Sequence, residues 1–321
     1  MTRVLIAGLA RSGTTWLGEA LSGAEGTAYL DEPDNHYRRP WAFRAKAALP
    51  GRAYPRLQPG DSAPDYEVLW RRAFGLEAGS ARGRRAAAVV RRVAARRLLR
   101  GVLPRRLRRG RALVRRDYAG GRRPSRLATA SGLALPEAPF DGAHDIVAKS
   151  VYAARSVPWV AALAPARVLV LRRDLRGVVA SWKAAGWLGD PGEDFLDELG
   201  PGGGEALAEE VGVPLPRAGL TQFGRIAWLL ACLASELRAG AARHPDWVVT
   251  SYEELVADAG RLLPELAGEL EIAWSPAADA RLRGPLAPPP QSPGIDPRLS
   301  DAEAEEIGSV LEDFSLRGWA W

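Results

Sequence analysis

Five short apolar or β-branched runs, separated by stretches with helical apolar spacing, constrain this chain more than any other feature. They are Val4 to Ala7, Thr27 to Leu30, Asp145 to Lys149, Arg167 to Leu171 and Trp247 to Thr250, each bounded by polar or turn residues. Strands that alternate with helices pair in parallel, because the crossover returns the chain to the same end of the sheet. The expectation is an α/β three-layer sandwich, with a central, mainly parallel five-stranded sheet between two layers of helices. Ligands of such sheets bind at the carboxyl ends of the strands. Arg11, Glu32, Lys149 and Arg173 each stand at or just past a strand end, so they are expected to converge.

The helices follow from local signals. Thr14 to Leu21 follows the first strand; Ser156-Val157-Pro158 opens another helix with proline at an early position. A helix over about 175–185 follows the fourth strand, and a long one covers about 222–238. Near the end, "LSDAEAEEIGSVLEDF" starts with a capping serine, Ser300, and acids in the first turn. "GPGGGEA" (Gly200 to Ala206) reads as a flexible loop, and 285–297 as an extended Pro-rich connector. We read residues 1–321 as a single domain, with an Arg-rich helical insert at about 66–126 and no internal repeat.

The first strand runs into "GLARSGTTW", Gly8 to Trp16. A strand, a Gly-containing turn and a helix aim backbone N–H groups and the positive helix end at one point, which suits an oxyanion. The spacing G-x-x-x-x-G is that of a phosphate-binding loop, yet Thr14 stands where the Walker loop has its lysine, and the cation has moved to Arg11. A Mg-triphosphate is therefore disfavoured. The fourth strand ends "VLVLRRDLRGVVASW", placing Arg173 at its exit and Ser181 eight residues on, two turns into the next helix. A guanidinium and a hydroxyl so placed suit a phosphate. The plainer alternatives are that Arg173 pairs with Asp174 or Asp145 and that Trp16 is a core residue.

Charge is unevenly spread. Residues 82–126 hold 18 arginines against a single acid, Asp117, while the whole chain is only +6. Of 44 basic side chains all but three are arginine; the lysines are Lys46, Lys149 and Lys183. That bias suits a GC-rich genome. Arg92, Arg96 and Arg100 recur at helical spacing beside Val90, Val93, Leu98 and Leu99, as in a basic amphipathic helix. Such a helix could lie on anionic lipid, dock an acidic acceptor, or be a solvated face. One cysteine, Cys232, excludes an intramolecular disulfide, and no Cys/His cluster has metal-ligand spacing, so no metal is expected. The N-terminal apolar run is too short for a signal peptide and no stretch is long enough to cross a membrane, so the expected setting is cytoplasmic.

Taken together, "RSGTTW" and "RRDLRGVVAS" resemble the 5′- and 3′-phosphate-binding segments of sulfotransferases that use 3′-phosphoadenosine 5′-phosphosulfate (PAPS). "SYEELVAD" (Ser251 to Asp258) is similar to that family's Y-E-D-L segment. The resemblance implies that Ser12, Gly13, Thr14 and Thr15 bind the 5′-phosphate, and that Arg11, in the place of the usual lysine, neutralises charge on the bridging oxygen. It also implies that Trp16 stacks on adenine, that Arg173 and Ser181 hold the 3′-phosphate, and that Tyr252 approaches the adenine. PAPS is then the co-substrate, without metal, and the loop has no γ-phosphate for a Walker lysine to grip.

The chain also departs from the family. Where cytosolic members carry K-x-H, "VAKSV" keeps Lys149 but has Val151 at the histidine position. "AYLDEPDNH" resembles the E-P segment of carbohydrate-type and some bacterial members, which makes Glu32 the candidate base, with Asp31, Asp34 and His36 as substitutes. The alternative is that Glu32 only pairs with Arg11 or a neighbouring arginine. The implied reaction is in-line displacement at sulfur, with Arg11 and Lys149 stabilising developing charge. The family's C-terminal R-K-G type segment is missing; Arg281, Arg283 or Arg298 could substitute. The expected acceptor is a hydroxyl or amine on a carbohydrate, glycolipid or secondary metabolite; no nucleic acid is expected. Two rival readings stay open: a P-loop kinase or NTPase acting on a small molecule, and a nucleic-acid or membrane binder built on the arginine segment.

Overall fold

The computed structural model describes residues 1–24, 26–76, 145–188, 194–284, 286 and 299–314. Strand β1 (Arg3–Gly8) is buried along nearly its whole length, as its unbroken apolar run requires of a strand covered on both faces. It is followed by α1 (Thr14–Leu21), β2 (Thr27–Asp31), α2 (Pro40–Lys46) and α3 (Pro64–Ala73). Next come β3 (Asp145–Ser150), α4 (Val157–Leu163), β4 (Arg167–Arg172) and α5 (Leu175–Ala184). A 3-10 turn at Phe195–Leu199 precedes α6 (Gly203–Val211), the long α7 (Gln222–Arg243) and β5 (Val248–Ser251). The chain then runs through α8 (Tyr252–Ala257), α9 (Ala259–Glu269), α10 (Pro276–Leu282) and α11 (Asp301–Glu312).

The five strands lie in the order β2-β3-β1-β4-β5, and every pairing is parallel. The edge strands differ from the centre: β2 alternates buried and half-buried positions, and Val249 of β5 is 40% exposed. Successive side chains of β1 enter different cores. Val4 and Ile6 pack with Leu17 and Leu21 of α1, Leu255 of α8 and Leu263 of α9. Leu5 and Ala7 face the other layer, with Trp70 of α3, Val160 of α4, Val178 of α5 and Leu230 of α7.

This division has a consequence for ligand binding. The helix after β1 lies on one face, whereas those after its neighbours β3 and β4 lie on the other. The loops therefore part on either side of the carboxyl end of β1, and crevices open there, where such sheets bind ligands.

All five expected strands are present within a residue or two; α4 and α11 start where their proline and cap place them, and α1 and α5 follow β1 and β4 as expected. Ser300 forms a full capping box with Glu303. The long helix continues five residues past the expected 238, to Arg243. The expected loop Gly200 to Ala206 is a correction: α6 begins inside it at Gly203, because Gly202 takes the left-handed N-cap conformation and Leu207 and Ala208 anchor the helix in the core. Residues 66–76, the start of the expected insert, are α3 and its exit, with Tyr66, Leu69 and Trp70 buried. The remainder of the insert, including the Arg92–Arg100 pattern, and all of the Pro-rich connector except Leu286 lie outside the described residues. No helix among the described residues is long and apolar enough to cross a membrane.

Candidate active site

The loop after β1 is built by two left-handed residues. Arg11 has φ 73° and Gly13 φ 98°, and the turn between them closes with Ser12 N–H donating to the Leu9 carbonyl at 3.1 Å. The Ser12 hydroxyl donates to the same carbonyl at 2.8 Å, and Trp182 Nε1 donates to the Ala10 carbonyl at 2.9 Å. Gly13 is required twice over: its φ disfavours a side chain, and a Cβ would lie 2.3 Å from the Tyr252 ring. No side chain caps α1, so its first-turn N–H groups and positive end are left for an anion or water. Thr14 is buried against the loop, while Thr15 is exposed beside it.

Residues far apart in sequence meet over this loop. Arg11 Nε donates to Ser181 Oγ at 3.1 Å, across 170 residues of chain. Arg173 Nη1 donates to the Arg11 carbonyl at 3.0 Å, and its guanidinium lies 4.2 Å from the centroid of Tyr252. Neither carboxylate expected of Arg173 is its partner; Asp174 instead caps α5, accepting from Gly177 N–H at 2.8 Å. Burial, with Glu253 adding to it, raises the Asp174 pKa above the usual carboxylate range. Tyr252 packs edge-to-face on Trp16 at 6.2 Å, and Trp16 Nε1 donates to the Leu286 carbonyl at 3.0 Å. Trp16 is thus neither free nor wholly core: half-buried, it walls one side of the loop. Arg281 and Arg283, at the end of α10, lie on a helix packed against α1; Arg298 is outside the described residues.

A second cluster sits one strand over, at the carboxyl ends of β2 and β3. The register sets Asp31 opposite Lys149, and Glu32 N–H continues the ladder to the Lys149 carbonyl at 2.8 Å. Glu32 itself is left-handed, with φ 45°. Lys149 Nζ, only 2% exposed, lies 2.6 Å from Glu32 Oε1 and 3.0 Å from Asp31 Oδ1. Arg39 clamps the same backbone, donating to the Glu32 and Asp31 carbonyls at 3.0 Å each. The sequence-based alternative that Glu32 pairs with an arginine is replaced here by a lysine pair.

The substitutes for Glu32 are committed elsewhere. Asp31 accepts from Arg38 at 2.7 Å as well as from Lys149; burial alone would raise its pKa, but these two cations hold it below the ordinary value. Asp34 is fully buried, with Tyr66 Oη donating to one oxygen at 2.8 Å and Ser150 Oγ to the other at 2.7 Å. His36 is buried, with Nδ1 3.1 Å from Lys46 Nζ and Nε2 3.8 Å from Glu198. A lysine ammonium only donates, so Nδ1 is the acceptor and the imidazole proton faces Glu198. Lys46 also donates to the Ala53 carbonyl at 3.0 Å, and burial lowers its pKa to about 8. Glu32, at 9% exposure, keeps more access than Asp34 or His36; Asp31 is more exposed but is tied to both Lys149 and Arg38.

Two neighbours had no sequence signal strong enough to name them. Asn35 donates to Glu32 Oε2, and Trp187 lies 5.4 Å from the Arg11 guanidinium. Among the described residues, no three His, Cys, Asp or Glu side chains gather to hold a metal ion.

No protein-family profile matches the chain, and no curated protein sequence does. Solved structures do. The sulfotransferase domain from the curacin biosynthetic pathway is 14% identical, covering 86% of this chain and 76% of its own, with a TM-score of 0.39. The sulfotransferase domain of the Synechococcus PCC 7002 olefin synthase is 13% identical over 98% of this chain and 94% of its own, TM-score 0.35. A sulfotransferase from Alicyclobacillus acidocaldarius is 14% identical over 100% and 99%, TM-score 0.36. All three are sulfotransferases.

Proposed function

We propose that this chain is a PAPS-dependent sulfotransferase acting on a hydroxyl or amine of a carbohydrate, glycolipid or secondary-metabolite acceptor. The observation that carries the reading is the Arg11–Ser181 hydrogen bond. It joins the phosphate-type loop after β1 to the Arg-and-hydroxyl pair after β4, so one ligand bearing two separated anionic groups would touch both. The uncapped α1, with Ser12, Gly13, Thr14 and Thr15, would hold the 5′-phosphate; Arg173 and Ser181 would hold the 3′-phosphate. Trp16 and Tyr252 supply aromatic surface for the base between them.

When bound, the donor supplies an activated sulfuryl group on a bisphosphate leaving group. Glu32 would take the proton of the acceptor: it keeps more access than Asp34 and His36, and the more exposed Asp31 is tied to two cations, Lys149 and Arg38. Lys149 fixes one Glu32 oxygen and brings a buried positive charge to the strand ends, and Arg11 brings a second from the other side of the loop. The Walker lysine position is Thr14, buried against the turn, which disfavours a triphosphate ligand.

The test is calorimetric titration with 3′-phosphoadenosine 5′-phosphate, with Mg-ATP as control. Micromolar, metal-independent binding that weakens by about tenfold or more in Arg173→Ala is expected, as for loss of a charge-assisted contact. Tight Mg-ATP binding with none for the bisphosphate would replace this reading with a kinase.

A further inference from the structure

We propose that Asn35 is a positioning residue for Glu32, fixing the plane in which its carboxylate receives a proton; this rests on the assignment of Glu32 as the base. Asn35 is 5% exposed and lies in the turn that leaves β2. Its backbone N–H donates to the Glu32 carbonyl at 3.2 Å. Its side-chain oxygen accepts from the backbone N–H of Tyr37 at 2.9 Å and of Arg38 at 3.1 Å. Two N–H groups can meet only the oxygen of the amide, so the amide nitrogen has to face the other way. There it donates to Glu32 Oε2.

Glu32 Oε1 already accepts from Lys149. The terminal torsion of glutamate is broad and soft, so one donor does not set the carboxylate plane. Two donors on two oxygens do. The other charged and titratable groups facing Glu32 are Asp31 and Tyr29 of β2, Arg39, Lys46 of α2 and Tyr152 beyond β3. Arg39 bonds the Glu32 backbone, Lys46 bonds Ala53 and faces His36, Tyr29 bonds Asp31, and Asp31 and Tyr152 donate nothing to the carboxylate. Asn35 and Lys149 are its two side-chain donors among the described residues.

The discriminating variant is Asn35→Asp, which keeps the oxygen that the Tyr37 and Arg38 N–H groups need and replaces the donor to Glu32 with an anion. In protein with ¹³C-labelled glutamate carboxyls, Glu32 being identified by the signal lost in Glu32→Gln, the Glu32 carboxyl is expected to titrate about one pH unit or more higher in Asn35→Asp than in the parent chain. The acid limb of kcat against pH should move the same way, with bisphosphate affinity unchanged. In the Glu32→Gln background the Asn35 substitution should slow turnover no further, whereas a merely structural role would cost the same in both backgrounds. An unchanged Glu32 titration, or equal losses in both backgrounds, overturns the proposal. Failure of the sulfotransferase reading would show separately, as absent bisphosphate binding, and the titration reads Asn35 even then.

Discussion

In a chain where arginine replaces lysine almost everywhere, only three lysines remain. Lys149 and Lys46 are both buried within the site cluster, and Lys183 is clasped by both oxygens of Glu303 at 2.9 and 2.7 Å. Lys149 was visible in advance because it ends a strand; Lys46 was not, because its partners His36 and Ala53 come together only through the fold of the turn after β2. Lys46 has a thermodynamic signature. An unfolded lysine holds its proton up to about 10.5, whereas the buried one releases it near about 8. Between those values the unfolded chain binds more protons, so this residue makes stability rise with pH, by about 1 kcal/mol per pH unit. Denaturant unfolding from pH 7.5 to 9.5, compared between the parent and Lys46→Met, isolates it from the tyrosines. The parent curve should climb relative to the variant, and parallel curves would refute the burial argument.

At the scale of elements, the strands and the capped helices were legible because their signals are local. Ser300 is the clearest: its hydroxyl accepts from Glu303 N–H at 3.3 Å, and Glu303 accepts from Ser300 N–H at 2.7 Å. Helices α2 and α10 were not anticipated, although each has proline in its first turn, because they are short and apolar periodicity over seven residues is weak. The loop at Gly200 was misread for the opposite reason: its glycines suggest freedom, but one of them is an N-cap. Because Glu303 both closes the capping box of α11 and binds Lys183 of α5, the cap joins two elements. Ser300→Ala should cost about 1 kcal/mol in urea unfolding. A loss within error would mean that the Lys183 contact alone seats α11.

At the scale of the molecule, the site draws on every strand of the sheet: Glu32 from β2, Lys149 from β3, the loop from β1, Arg173 from β4 and Tyr252 from β5. A ligand that bridges these strand ends stabilises the folded sheet as a unit. The bisphosphate at about 100 times its Kd should therefore add about 2.7 kcal/mol of stability, seen as a rise of several degrees in melting temperature that is indifferent to EDTA. A rise only with magnesium would point to a different nucleotide chemistry. What the sequence could not convey at this scale is which residues come to lie beside one another across the strand ends; Asn35 and Glu32 are three residues apart, yet their contact depends on a left-handed backbone at Glu32.

The strand order also sets a timetable for synthesis. The phosphate-type loop is made well ahead of its partners, and β1 has no neighbour to pair with until Asp145–Ser150 and Arg167–Arg172 have followed it. Tyr252, which roofs Gly13, comes later still. Contacts so distant in sequence form slowly, and the nascent chain has to carry an unpaired apolar strand through more than a hundred residues of translation. The candidate cradle, though its loop is encoded ahead of the residues that complete it, exists only after all of them have been made.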